Sequence, residues 1–150
     1  MKMALQLASF GILIFATVHT NSAPATIDRF VNAFPASQQP QIRGMLADSL
    51  AGIVAQQLLR KADGSGRVAA QEILIGTSGV ASAIREGKTT MLQSLIQSGG
   101  SHGMQSIDAV LAGLVAQGVV APEDALEKAA DKNSFARIPA VAAALKGGRA

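Results

Sequence analysis

Residues 12–29 read ILIFATVHTNSAPATIDR. The run opens with four strong strand formers, Ile12, Leu13, Ile14 and Phe15, and then meets a small polar cluster of Thr17, His19, Thr20, Asn21 and Ser22. From Ala23 to Asn32 the residues are compatible with a helix, and Ser22 is placed to cap it. An apolar strand over Ile12–Val18 that ends in polar side chains and turns into a helix implies α/β architecture. In such sheets the carboxyl ends of strands carry the ligand site. The same stretch supports a rival reading. Lys2 followed by the mostly apolar Ala4–Val18 and by Ala23-Pro24-Ala25 has the form of an export signal with its cleavage site, which would make this an exported small helical protein. Gln6, Ser9 and Gly11 dilute that apolar core, and His19–Ser22 is a long polar spacer.

The 150 residues suffice for one domain with a sizeable core, and 49% hydrophobic against 15% charged residues indicates a globular chain. A net charge of +3 without a basic patch, and aromatics of 3% that are all Phe, argue against nucleic acid as a partner. The absence of cysteine excludes disulfides, thiolate metal sites and cysteine nucleophiles, and fits a reducing compartment. The single apolar run is shorter than the ~20 residues of a membrane-spanning helix, so no transmembrane segment is expected.

Outward from the opening stretch, ALQLAS reads as a helix closing at Gly11. Gln41–Leu59 reads as the cleanest helix, with Ile42, Met45, Leu46, Leu50, Ile53, Val54 and Leu58 on one face. Lys61–Gly66 is a turn-rich loop, Arg67–Ile75 a strand, and Gly64 and Gly66 allow a hairpin with a short strand near Leu58. Short helices are expected over Val80–Glu86, over Thr89–Gln97, from Ser106 to Gly118 and from Pro122 to about Ala130. The expected organisation is three parts: residues 1–77, residues 78–135 as a helical subdomain, and residues 136–150 as a flexible tail around Gly147-Gly148-Arg149.

Gly87-Lys88-Thr89 has the end of a phosphate-binding loop, but the glycine such a loop needs five positions earlier is Ser82, and Ala83-Ile84-Arg85-Glu86 favours a helix. An Arg85–Glu86 surface pair is the plain reading. His19 at a strand end either rests on neighbouring hydroxyls or faces a phosphate. A Ser22/His19/Asp28 triad lacks the glycines of a nucleophile elbow. His19 and His102 have no carboxylate pattern around them, so no metal site is expected. Arg29, Arg43, Arg60, Lys61 and Arg67 are either solvated charges or contacts to a neighbouring subunit.

ATVHTNSAPATIDRFVNAFP (residues 16–35) resembles the histidine box and following helix of the PilT family of type IV pilus retraction, or twitching-motility, ATPases. The resemblance continues through QQPQIRGMLADSLAGIVAQQLL (Gln38–Leu59), GRVAAQEILIGT (Gly66–Thr77), IREGKT (Ile84–Thr89) and HGMQSIDAVLAGLVAQG (His102–Gly118), and covers about residues 3–135. It implies the back half of a RecA-like core, the fold of the wider type II/IV secretion ATPases, followed by C-terminal helices. It implies His19 as the γ-phosphate sensor, with Thr20, Asn21 and Ser22 beside the nucleotide. GVASAIRE (Gly79–Glu86) falls on the family's AIRNLIRE motif, which implies a motor-coupling role for Ile84, Arg85 and Glu86; Gly79, Ala81, Ser82 and Ala83 depart from it. For the intact family the resemblance implies ATP and Mg²⁺, a homo-hexamer, an inner-membrane pilus platform as partner, and a cytoplasmic location peripheral to that membrane. The family's P-loop, Asp box and Walker B segment are expected upstream of ALQLASFG, where members read ETG in place of Ser9-Phe10-Gly11. This chain alone is therefore expected not to hydrolyse ATP, and the alternative role is a non-catalytic helical adaptor docking on full-length subunits.

Overall fold

The computed structural model describes residues 2–147. In chain order the helices and strands are α1 Lys2–Ser9, α2 Ala23–Asn32, α3 Gln39–Ser49, β1 Gly52–Arg60, β2 Arg67–Ile75, α4 Ser78–Arg85, α5 Leu92–Ser98, α6 Ile107–Ala116, α7 Pro122–Lys128, α8 Lys132–Ala136 and α9 Pro139–Gly147. Short 3-10 turns precede α3 and α5. Among the described residues the sheet is the single hairpin β1–β2.

Local chemistry sets the helix ends. Ser22 is extended, and its Oγ accepts the Ala25 amide at 3.3 Å, so it caps α2, with proline in the first turn. Thr77 and Ser106 cap α4 and α6 in the same way. Gly11, Gly87 and Gly118 take positive φ at the ends of α1, α4 and α6. Each lets the next amide reach back five residues to a helix carbonyl, as Lys88 N does to Ala83 O at 2.8 Å.

The helix expected over Gln41–Leu59 stops at Ser49, and its second half is strand β1. Gly52 and the β-branched pair Ile53-Val54 weaken a helix there. Leu50, Ile53, Val54 and Leu58 satisfy helical spacing, but burial alternates along β1: Ile53, Ala55, Gln57 and Leu59 are covered while Val54, Gln56 and Leu58 between them are exposed, which is a two-residue period. The turn at Lys61–Gly66 supplies the partner strand, closed by Lys61 N to Gly66 O at 3.0 Å. Gln71 donates to Gln56 across the strands at 3.1 Å, which fixes the register.

Ile12–Val18, expected as a sheet strand, lies outside regular secondary structure. A strand exists only through pairing, and no described strand lies beside it. From residue 136 onward, read as a flexible tail, Pro139–Gly147 is helical and Val141 is fully buried. Its apolar residues are alanine and single aliphatics, a weak periodic signal. Gly148 and Arg149 of that expectation lie outside the described residues.

The chain forms two compact units. The first comprises the N-terminal stretch through Ala55 together with Ile73–Met104, so the boundary expected at residues 77 and 78 falls inside it. Its core holds Ile27, Ile42, Leu74, Val80, Ile84 and Leu92. The second comprises Gln56–Glu72 and the chain from Gln105 onward. Its core holds Leu59, Ala70, Leu111, Val120, Phe135 and Val141. Within it, Ala62 at the hairpin turn donates to Val119 O at 2.9 Å, and Gln105 donates to Gln71 O at 2.8 Å. Asp108 accepts the amides of Ala130 and Asp131, tying α6 to the start of α8.

Two substitutions test this packing. Gly76 donates to Ala51 O at 2.9 Å, and a Cβ at Gly76 would collide with Leu50 O. G76A is expected to lose about 1–3 kcal/mol in urea unfolding. Phe135 is 1% exposed. F135A is expected to lose about 3–5 kcal/mol and to raise amide exchange first in residues 105–147.

Candidate functional site

The residues anticipated from sequence lie on two elements of the first unit. His19, Thr20 and Asn21 form the approach to α2, and Ser22 is its cap. Their backbone course is set by α2 itself. Arg29 Nη1 donates to the His19 carbonyl at 3.2 Å, so the helix holds the loop by its main chain and leaves the exposed His19 side chain outside that bond. Thr26 Oγ1 donates to Ser22 O at 2.8 Å and lies 2.6 Å from Thr20 Oγ1. With its own proton committed to Ser22, Thr26 accepts from Thr20, and two hydroxyls in series fasten the loop to the first turn of α2.

The paper triad of Ser22, His19 and Asp28 is not assembled. Ser22 Oγ serves the Ala25 amide, and Asp28 Oδ2 accepts the Thr89 hydroxyl at 3.3 Å. That last contact was not legible in sequence, because it joins residues 61 positions apart. It brings the end of IREGKT to the helix that carries the histidine loop.

Ile84, Arg85 and Glu86 end α4, and the three side chains part at once. Ile84 is fully buried in the core. Arg85 Nη2 meets Asp48 Oδ1 of α3 at 2.6 Å, with both side chains more than half exposed. Glu86 accepts from Ser82 Oγ at 2.9 Å and pairs with Lys88 Nζ at 2.7 Å. Gly87-Lys88-Thr89 is a helix stop here: Gly87 sits at φ 70 and Lys88 N closes on Ala83 O. A Cβ on Gly87 would meet the Arg43 guanidinium at 3.7 Å, which places that cation against the same turn. Of the other cations named from sequence, Arg60 lines a shallow cleft of about 170 Å³ in the second unit with Leu59, Asp124, Glu127 and Lys128. None of the anticipated site residues lines it. Among the described residues no three His, Asp or Glu stand close enough to hold a metal ion. No helix among them is long and apolar enough to cross a membrane.

The hydrogen bond from Lys88, and then that from Ser82, hold the Glu86 carboxyl below its usual value, and the same bond raises Lys88 above its own. A depressed carboxylate contributes stability above its unfolded value and loses it as pH falls through the folded one. Carbon-detected NMR titration of Glu86 is therefore expected to give a midpoint below that of a free glutamate, moving upward in K88Q and, by less, in S82A.

The residues thus arranged can be set beside known proteins. The model of the family described as Type II/IV secretion system protein matches residues 1–105. The type IV pilus retraction ATPase PilT of Pseudomonas aeruginosa is 48% identical over 134 residues, covering 89% of this chain and 39% of the relative. A twitching motility protein of Neisseria gonorrhoeae is 44% identical, covering 89% of this chain and 36% of that one. The crystal structure of the pilus retraction motor PilT with bound ADP superposes with a TM-score of 0.80 at 40% identity, over 91% of this chain and 38% of that chain. The ATPase DotB of Legionella pneumophila, at 21% identity and TM-score 0.68, shares the fold and covers 83% of this chain and 33% of its own. The chain thus spans less than two-fifths of the length of these proteins, and its mixed helix and strand fold is a part of the PilT-type α/β core. On these matches the chain belongs to the Type II/IV secretion system protein family, with PilT-type pilus ATPases among its relatives.

Proposed function

We propose that this chain is the C-terminal portion of a pilus retraction motor, in which ATP hydrolysis drives pilus disassembly and twitching motility. The observation that carries this reading is the joint likeness to PilT in sequence, at 48% identity, and in fold, at a TM-score of 0.80. In this reading the working unit is a homo-hexamer, cytoplasmic and peripheral to the inner membrane, acting on the pilus platform there. ATP would be its fuel, with Mg²⁺ as the cofactor that neutralises phosphate charge. Gly87 ends a helix where a phosphate cradle would need a glycine-rich loop. The phosphate ligands would come from the part of the relatives that this chain does not span.

His19 would then supply one edge of the nucleotide site and sense the γ-phosphate, with Thr20, Asn21 and Ser22 next to it. Three features support this. The loop is fixed through main chain and hydroxyls, the His19 side chain is exposed, and the segment lies within the family match. Ile84, Arg85 and Glu86 would couple the site to movement. Ile84 anchors α4 in the core, while Arg85 and Glu86 present charge at its end. Ala81 stands where the family motif carries its first arginine, so Arg85 would be the one arginine left to that motif here.

A chimera tests this. Residues 1–147 would replace the equivalent segment of the Pseudomonas PilT. The chimera is expected to hydrolyse ATP and support twitching, whereas the 150-residue chain alone is expected to show no turnover. In the chimera H19A is expected to lower kcat by about tenfold or more with the hexamer intact. R85A is expected to abolish twitching while ATP turnover persists. Full turnover in H19A, or full motility in R85A, would refute the assigned roles.

A further inference from the structure

Asp28 and Arg29 are exposed neighbours on α2, and each holds a different segment of the first unit. Arg29 Nη1 donates to the His19 carbonyl at 3.2 Å and so grips the histidine loop by its main chain. Asp28 Oδ2 accepts the Thr89 hydroxyl at 3.3 Å, and Thr89 opens the 3-10 turn Thr89–Met91 that follows α4. That turn and the end of α4 form one piece, because Lys88 is fixed twice, its amide to Ala83 O and its ammonium to Glu86. Beneath them Ile27 and Val31 of α2, Ile84 of α4 and Leu92 share one core. Apolar packing is non-directional, so by itself it lets α2 slide or turn over the end of α4 while burial is kept. A hydroxyl donating to a carboxylate is directional, and at the rim of that core it fixes the register.

We propose that Asp28 and Thr89 are positioning residues that make the histidine loop and the charged end of α4 move together. The proposal rests on the roles given above to His19 and Arg85. When His19 is drawn toward a phosphate or released from it, its main chain pulls on Arg29, and α2, a rod of 10 residues, shifts as a whole. Asp28 then carries the shift through Thr89 to Lys88, Glu86 and Arg85. The Thr89 bond is longer than the roughly 2.5–3.0 Å of a settled hydroxyl bond, which leaves it room to tighten in one nucleotide state.

The PilT chimera described above tests the link. T89V removes the hydroxyl at nearly constant volume, T89S keeps it, and D28A removes the acceptor from an exposed helical position. T89V and D28A are each expected to lower twitching about fivefold or more while ATP turnover stays within about twofold, and T89S to behave like the parent. Because both remove one contact, T89V/D28A is expected to be no worse than either alone. Amide exchange supplies a readout that a purely structural role would not move. In the parent chimera residues 19–22 and 86–91 are both expected to exchange differently with ADP and with a non-hydrolysable ATP analogue. In T89V that difference is expected to persist at 19–22 and to vanish at 86–91. A difference that survives at 86–91 in T89V, or that is missing there in the parent, would overturn the link. So would full motility of T89V and D28A beside the losses expected of H19A and R85A, which would leave the assigned roles standing. Full turnover in H19A or full motility in R85A would remove those roles, and the link with them.

Discussion

No described helix of this chain exceeds the 11 residues of α3, and none could persist alone in water. Every element therefore depends on burying one face. That constraint explains why each unit is built around a few fully buried side chains. In the first unit Ile84 and Val80 on α4, Leu74 on β2 and Leu92 on α5 have essentially no exposed surface. Deleting any of them leaves a cavity in the core, whereas the ion pairs Arg85–Asp48, Lys88–Glu86 and Lys128–Glu127 lie at the surface, where water screens them and they add little. The polar caps then decide where each short helix begins and ends. They thereby place His19 at the entry to α2 and Arg85 at the exit of α4.

Helix ends were legible in the sequence because their signals are local. Ser22, Ser106, Gly11, Gly118 and Pro122 each perform the terminating or initiating role that their chemistry suggests. What failed were readings that depend on partners. The Gln41–Leu59 run carries apolar residues at spacings that suit both periods, and the choice went to the strand because the segment after the Lys61–Gly66 turn pairs with it. Ile12–Val18 has the stronger strand composition of the two, yet it is the one left unpaired. Propensity reports what a segment accepts, and pairing decides what it becomes.

The site shows the same division. The positions of His19, Ser22, Arg85 and Glu86 follow from the elements that carry them. The contacts that organise them, Arg29 to the His19 carbonyl, Thr20 to Thr26 and Thr89 to Asp28, depend on how α2 and the Thr89–Met91 turn pack. No spacing rule announces these. Arg29 had appeared as one of five scattered cations, and Asp28 only as a member of a triad that does not form. Both sit on the outward side of a helix whose other face, Ile27 and Val31, is in the core. That face fixes which way they point.

Gly87-Lys88-Thr89 shows why a motif has to be read with its backbone. In a phosphate loop the glycine frees successive amides to converge on an anion, and the lysine reaches the same charge. Here the amides after Ile84 turn back onto their own helix: Gly87 N bonds Ile84 O and Lys88 N bonds Ala83 O. The Gly87 and Lys88 amides are thereby spent on helix carbonyls and do not converge on an anion. The lysine likewise turns to Glu86, the residue whose carboxylate would repel a phosphate. Both halves of the phosphate chemistry are thus committed inside the chain. The tripeptide works as a stop that fixes the end of α4, where Arg85 and Glu86 stand.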